Sequence, residues 1–227
     1  MDRVSVVIPA YNHGAFLPEA IESVLAQTHP AHEIIVVDDG STDETLEALQ
    51  PYLPHIHYLY KRNGGTSTAL NAGIRRATGD WICWLSADDL FLPDKLEKQL
   101  AFVKAHPNVG LVYTDFYVID HDPDKILSRE TPPEYPDRET WTRVLLATNC
   151  LFNGATTMIR TSLFYQAGLY VPELLHSQDY NMWIRLSRIC DFGYLREPLG
   201  KYRWHAGNES HRADPNRYVQ LAREKAY

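Results

Sequence analysis

Residues 81–93 read WICWLSADDLFLP: five apolar residues, then Ser86 and Ala87, then the adjacent carboxylates Asp88 and Asp89, and finally Pro93. Trp81 to Leu85 is too short a run for an ordinary helix and suits a strand buried on both faces, as in a parallel sheet covered by helices. Ligands of open α/β sheets collect beyond the carboxyl ends of strands, so Asp88 and Asp89 are placed to meet a metal or a polar ligand. A cap on the helix that opens near Pro93 would account for the same two acids without any ligand.

Working outward, the same grammar recurs. Val4 to Ile8 reads as a strand closed by Pro9, and Leu17 to Gln27 carries apolar residues at helical spacing around Pro18. Glu33 to Val37 is a second strand, and Ser41-Thr42-Asp43-Glu44 predicts a capping box ahead of Thr45, Leu46 and Leu49. Ile56 to Tyr60 is a third strand and Gly64-Gly65 a turn. Ala69, Leu70, Gly73, Ile74 and Ala77 then form a helical face that Gly79 is expected to stop. Leu96, Leu100 and Val103 mark a further helix, and Leu111 to Ile119 a fifth strand. Strands alternating with helices predict an α/β fold with a largely parallel, doubly wound sheet flanked by helices.

Beyond Asp120 the stretch HDPDKILSRETPPEYPDRE predicts a long surface connection. A helix over Trp141 to Leu146, a strand-like Ala155 to Ile159, a short helix from Ser162 to Ala167 ended by Gly168, and a helix from Tyr180 to Ile189 follow. The closing YVQLAREKAY is helical in pattern. The chain of 227 residues fits one domain, with a nucleotide-type half over 1–119 and a second half over 120–227.

Composition narrows the partners. With 29 acids against 22 Lys and Arg the net charge is −7, which excludes a large basic face and nucleic acid as a partner. Cys83, Cys150 and Cys190 are odd in number and lack metal-type pairing, as reduced structural thiols of a cytosolic protein would be. The N-terminal stretch lacks the apolar core of a signal peptide, and no run reaches the length of a membrane span. The expectation is a soluble cytoplasmic domain, with peripheral association at the inner face of a membrane left open.

Three groups of residues carry chemistry. Pro9-Ala10-Tyr11-Asn12, Asp38-Asp39-Gly40-Ser41 and Ser86-Ala87-Asp88-Asp89 all follow strands and converge on one sheet edge. There Tyr11 suits a flat base, Asp39 the imino N–H of a pyrimidine, and Asp38 ribose hydroxyls. A core aromatic and a helix cap are the structural alternatives for Tyr11 and for one of the two acids. A divalent cation, Mg²⁺ or Mn²⁺, explains carboxylates gathered around an anionic ligand, with Asp89 bridging it to a diphosphate. Lys61, Arg62, Arg75 and Arg76 read as solvated charges.

Asp179, ahead of the apolar helix in Gln178 to Leu186, reads either as an N-cap or as a general base for an incoming hydroxyl. In Tyr202-Arg203-Trp204-His205, with Asn208, Ser210 and His211 beyond, Trp204 suits a sugar face. Arg203 suits a phosphate, and His205 a metal or a structural role.

The order of these motifs is more specific than any one of them. VSVVIPAYN at 4–12, VVDDGSTDET at 36–45, NGGTSTALNAGI at 63–74, LSADDLFLP at 85–93 and QDYNMWIRL at 178–186 resemble family 2 glycosyltransferases of the GT-A fold over nearly the whole chain. That resemblance implies inverting sugar transfer from a nucleotide diphosphate sugar, UDP- or dTDP-linked, to an acceptor hydroxyl of a sugar, lipid-linked or protein-linked glycan. It further implies polysaccharide or glycoconjugate biosynthesis. Carried over by position, Pro9, Tyr11, Asp38, Asp39, Asn71, Ser86 and Asp88 belong to the nucleotide. Asp89 and Asp88 match the metal motif, His205 a histidine near the diphosphate that joins the metal set, and Asp179 the catalytic base, while Arg203 and Trp204 keep their residue-level reading as acceptor or phosphate contacts.

Three positions depart from the pattern. Ser86 replaces the usual first acid of the metal motif and shifts the metal burden toward Asp89. Gln178 replaces a frequent Glu, and Leu70 stands where some members carry Arg. Two other activities are compatible with the same acids: a silent nucleotide-sugar-binding scaffold and a metal-dependent nucleotidyltransferase. The second would want Lys or Arg in the loop from Pro9 to Gly14, which has neither.

Overall fold

The computed structural model describes residues 2–148, 151–208 and 215–226, with backbone alone for 215–219, so Cys150, Ser210 and His211 lie outside the described residues. In chain order the elements begin β1 Val4–Ala10, α1 Leu17–Leu25, β2 Glu33–Asp38, α2 Thr45–Leu49 and β3 His57–Tyr60. They continue with α3 Thr66–Arg76, β4 Trp81–Trp84, β5 Leu90–Phe91, α4 Lys95–Ala105 and β6 Val109–Ile119. The second half adds β7 Ile126–Glu130, α5 Arg138–Ala147, β8 Met158–Arg160, α6 Thr161–Ala167, α7 Gln178–Ser187, β9 Asp191–Arg203 and α8 Pro215–Glu224.

All nine strands form one sheet in the order β3-β2-β1-β4-β8-β6-β9-β5, with β7 on the side of β6. β1, β2, β3 and β4 pair in parallel, as do β6 and β9, while β8, β7 and β5 run antiparallel to their neighbours. The expected α/β architecture with a largely parallel sheet therefore holds. One antiparallel strand, β8, is wedged between β4 and β6.

The parallel strands are β-branched because both faces are covered. Val6, Ile8, Val36, Cys83 and Leu85 pack on Leu17, Ile21 and Val24 of α1 on one side. Val7, Ile35, Val37 and Ile82 pack on Ala69, Leu70 and Ile74 of α3 on the other. The second core continues into an aromatic stack in which Tyr113 lies 4.5 Å from Phe152 and Phe152 lies 5.0 Å from Trp183, with Trp141 edge-on. Such pairs add roughly 0.5–1.5 kcal/mol each beyond burial. They bind α5 and α7 to β6, and so fix the helix that carries Asp179. Cys83 and Cys190 are buried free thiols.

Several local expectations change. No capping box forms at α2: the Asp43 carboxylate accepts from Thr45 N at 3.1 Å and Thr45 Oγ1 at 2.5 Å, and Glu44 makes no side-chain cap. Gly79 does not stop α3, which already ends at Arg76. It lies against β1, where an added Cβ would sit 2.6 Å from Ser5 Oγ. Gly168 does end α6, with φ 91°.

The largest difference is β9, thirteen residues long. Its Gly193, Pro198 and Gly200 break the strand signature, and Pro198 is tolerated because it sits where the β6–β9 register shifts. β7 falls inside the expected surface connection. It is an exposed edge strand with no buried face, so no alternation marks it. No described helix is long and apolar enough to cross a membrane.

Candidate active site

A cleft of about 1220 Å³ opens at the carboxyl ends of β1, β2 and β4. It takes in Pro9, Tyr11, Asp39, Ser86, Asp88, Asp179 and Trp204 of the sequence-predicted set. Its far wall comes from β6, β7 and residues 131–133, 151–153 and 175–179.

The loop after β1 is braced against the loop after β2. Asn12, in the left-handed region at φ 56°, donates from its backbone N to Ser41 Oγ at 3.0 Å and accepts Thr42 N on Oδ1 at 2.8 Å. This bracing holds Tyr11 outward, with 43% of its surface exposed at the cleft, so it is not a core aromatic. The Asp39 carboxylate at the cleft wall accepts from Gly64 N at 3.1 Å and Gly65 N at 2.7 Å and is ion-paired with Lys61.

Two nucleotide-class expectations are not brought to the cleft. Asp38 spends its carboxylate on Ser41 N at 2.8 Å and the Tyr58 hydroxyl at 2.9 Å, which pushes the Tyr58 phenol well up through burial and then that bond. Asn71 is locked to Tyr170 by two hydrogen bonds of 2.8 Å, tying α3 to the second half.

The two acids of the opening stretch face opposite ways. Asp89 is 1% exposed and turns to β9, where it accepts Arg203 N at 2.9 Å and the Ser86 hydroxyl. Burial first, and the Asp88 charge second, push its carboxyl well above the usual range, and its Oδ2 is buried without a partner. Asp88 lines the cleft instead.

Asp88 Oδ2 meets His205 Nε2 at 2.9 Å and Asn208 Nδ2 at 3.4 Å, and among the described residues no hydrogen bond engages Oδ1. Because His205 Nδ1 accepts Gly207 N at 3.1 Å, the ring proton belongs on Nε2 and is donated to Asp88. His205 therefore orients Asp88 in this structure rather than offering a lone pair. Neither acid is a helix cap: α4 begins at Lys95 with Asp94 before it.

Arg203 is likewise not free for phosphate. Its buried guanidinium donates to Asp88 O at 2.9 Å, His121 O at 2.6 Å and Glu19 Oε2 at 2.5 Å. It fastens the acidic turn to α1. Trp204, 51% exposed, does line the cleft.

Asp179 sits inside the first turn of α7 and is not its N-cap, which is Ser177 at φ 59°. Its carboxylate accepts the Gly154 backbone N–H, while Oδ1 is buried without a partner. Burial pushes it up to about 7. Only glycine fits at 154: an added Cβ would lie 2.2 Å from Trp84 Cζ2 and 2.6 Å from Asp179 Oδ2. The Gly154–Thr156 turn is held from beneath by Lys95 Nζ and Gln99 Nε2, which donate to Thr156 O at 3.0 and 2.9 Å. Burial lowers Lys95 to about 8.

Sequence reasoning missed four contributors. His13 lines the cleft with Nε2 3.9 Å from Asp88 Oδ2. Lys61 pairs with Asp39 and is no solvated charge, whereas Arg62, Arg75 and Arg76 are exposed as expected. Trp84 and Gly154 frame Asp179. None of the four carried a local signal; the glycine pair at 64–65 did, as a turn, and its backbone N–H groups hold Asp39 at the cleft wall.

The residues fit a hard divalent cation. Asp88 supplies a carboxylate oxygen at the cleft, and Mg²⁺-type sites use one or two carboxylates with substrate phosphates completing the shell. Among the described residues no group of three His, Cys, Asp or Glu could hold an ion by itself.

Residues 5–167 match the family model described as Glycosyl transferase family 2. An uncharacterized glycosyltransferase of Rickettsia prowazekii is 36% identical over 211 residues, covering 92% of this chain and 66% of the relative. TarS 1–349 of S. aureus, solved with UDP-GlcNAc, superposes with TM-score 0.77 at 20% identity, over 97% of this chain and 65% of that one. The mannosyltransferase PcManGT of Pyrobaculum calidifontis, solved with GDP-Man and Mn²⁺, gives TM-score 0.65 at 18% identity, over 100% and 69%. The chain thus spans just under two thirds of the first two proteins, and its GT-A fold is shared with both structures.

Proposed function

We propose that this chain, which belongs to glycosyl transferase family 2, moves a sugar from a nucleotide diphosphate sugar to an acceptor hydroxyl in one inverting displacement. The observation that carries this reading is Asp179. A carboxyl with an unpartnered Oδ1 and a value near 7 lines the same cleft as Tyr11, Asp39 and Asp88.

In this reading the donor base lies on Tyr11 with its imino N–H toward Asp39, and Pro9 and Ser86 shape the adjoining wall. Residues 1–119 serve the donor and 120–227 the acceptor, with Trp204 as a sugar platform. TarS and PcManGT, which hold nucleotide sugars in the same fold, support a donor of this class.

Asp179 Oδ1 takes the proton of the acceptor hydroxyl. The acceptor oxygen bonds to the anomeric carbon as the bond to the diphosphate breaks on the opposite face, and the nucleoside diphosphate leaves. A base near 7 is matched to this task at neutral pH and is worth about 10²- to 10⁴-fold. Positioning of the two substrates supplies much of the remainder. Asp88, oriented by His205 and Asn208, would hold a divalent metal, Mn²⁺ or Mg²⁺. When bound, that ion neutralises charge on the departing diphosphate.

The test needs no acceptor, because water can take its place slowly. Incubation with UDP-, dTDP- and GDP-linked sugars and Mn²⁺ or Mg²⁺ is expected to release nucleoside diphosphate from UDP- or dTDP-linked donors. No release and no binding across the panel would overturn the reading, and release of pyrophosphate would assign a nucleotidyltransferase instead.

A further inference from the structure

The wall around Asp39 contains more than a base acceptor needs. Asp39 is almost wholly buried, and Lys61 is ion-paired to its Oδ1. Gly64 N reaches both carboxylate oxygens at 3.1 Å and Gly65 N reaches Oδ2 at 2.7 Å. Lys61 spends its remaining donors on Arg62 O and Thr68 Oγ1, both at 2.8 Å, so an ammonium with three protons is fully committed.

The surrounding backbone is shaped to permit this. An added Cβ at Gly64 would lie 2.7 Å from Thr68 Oγ1 and 3.1 Å from Lys61 Nζ. Gly40 and Gly65 adopt φ of 81° and 83°, where side chains are strained.

A carboxylate offers about four acceptor positions. Three donors already hold Asp39, with the single Gly64 N–H straddling both oxygens, so a ligand finds room for one N–H only where that shared proton settles on one oxygen. Nucleobases differ in what they bring to it. Uracil and thymine present a single N–H between two carbonyls, whereas guanine presents N1–H and N2–H side by side, a pair that takes both oxygens of a carboxylate. Cytosine brings a ring-nitrogen acceptor, which a carboxylate repels.

We propose that Lys61 is a positioning residue that sets nucleobase selectivity: by occupying Asp39 Oδ1 it leaves room for one ring N–H and turns away the paired donors of guanine. The proposal rests on the reading above that Asp39 meets the donor base. It goes further by naming the residue that chooses among bases.

The test is calorimetric titration of the wild type and Lys61→Met with UDP, GDP and CDP in the presence of Mn²⁺. The wild type is expected to bind UDP at least about tenfold tighter than GDP, a preference of the size of one net hydrogen bond. In Lys61→Met that ratio should fall to near unity, largely through a gain for GDP. A merely structural loss would weaken both alike.

Thr68→Val keeps the ammonium on Asp39 and should keep the preference. A wild type that binds GDP as tightly as UDP overturns the proposal even if Lys61→Met does not fold. A wild type that prefers UDP, with an unchanged ratio in Lys61→Met, overturns it while leaving the donor site standing. No binding of any nucleotide overturns both.

Discussion

Asp179→Asn is expected to lower transfer by about 10²- to 10⁴-fold, leave nucleotide binding unchanged and make the protein more stable at alkaline pH. The first effect follows from the acceptor proton: an amide cannot take it. The second follows from place, since Asp179 lies on α7 against Gly154 and Trp84, whereas Tyr11, Asp39, Ser86 and Asp88 lie in the loops that follow β1, β2 and β4.

The third follows from linkage. Burial raises the folded-state value of Asp179 from 3.8 to about 7. Its neutral form therefore favours folding below the unfolded value, and that contribution is lost as pH rises through 7. Above it the buried charge costs on the order of 4 kcal/mol. Asparagine removes that cost, so the gain in melting temperature should be larger at pH 8 than at pH 5. For the same reason wild-type turnover should climb as pH rises through about 7. Retained turnover in Asp179→Asn would remove the base assignment.

The second large effect concerns the adjacent acids, because the structure separates them by orientation. Asp88→Asn should abolish the part of donor affinity that Mn²⁺ supplies, a loss of at least about 10- to 100-fold, the range seen even for groups that only orient a metal ligand. Asp89→Asn should leave that part intact. Asp89 faces Arg203 N and the Ser86 hydroxyl rather than the cleft, and an amide of the same shape can replace it there. Titration of UDP into each variant with Mn²⁺ and with chelator separates the two. Metal dependence lost in Asp89→Asn and kept in Asp88→Asn would restore the order that the sequence alone suggested.

That difference in orientation shows where sequence reading stops. The parallel half was legible because β1, β2 and β4 are buried on both faces and their β-branched runs are continuous. The acids at their ends were legible because open sheets gather ligands there. Which of two neighbouring acids faces the cleft was not. It depends on β5 pairing with β9, and β9 was hidden by Pro198 and two glycines.

Arg203 and Asn71 look like ligand residues in one dimension. In three they are consumed by backbone carbonyls, Glu19 and Tyr170, partners 99 or more residues away for Asn71 and as many as 184 for Arg203. Lys61 failed in the opposite sense, as a single charge in a loop whose partner twenty-two positions earlier is brought beside it by β2 and β3.

Proton nuclear magnetic resonance of slow donor hydrolysis tests the central account most directly. With an α-linked UDP-sugar and Mn²⁺, the free sugar should first appear as the β-anomer, together with UDP, before mutarotation mixes the two. First appearance of the α-anomer would contradict a single displacement assisted by Asp179.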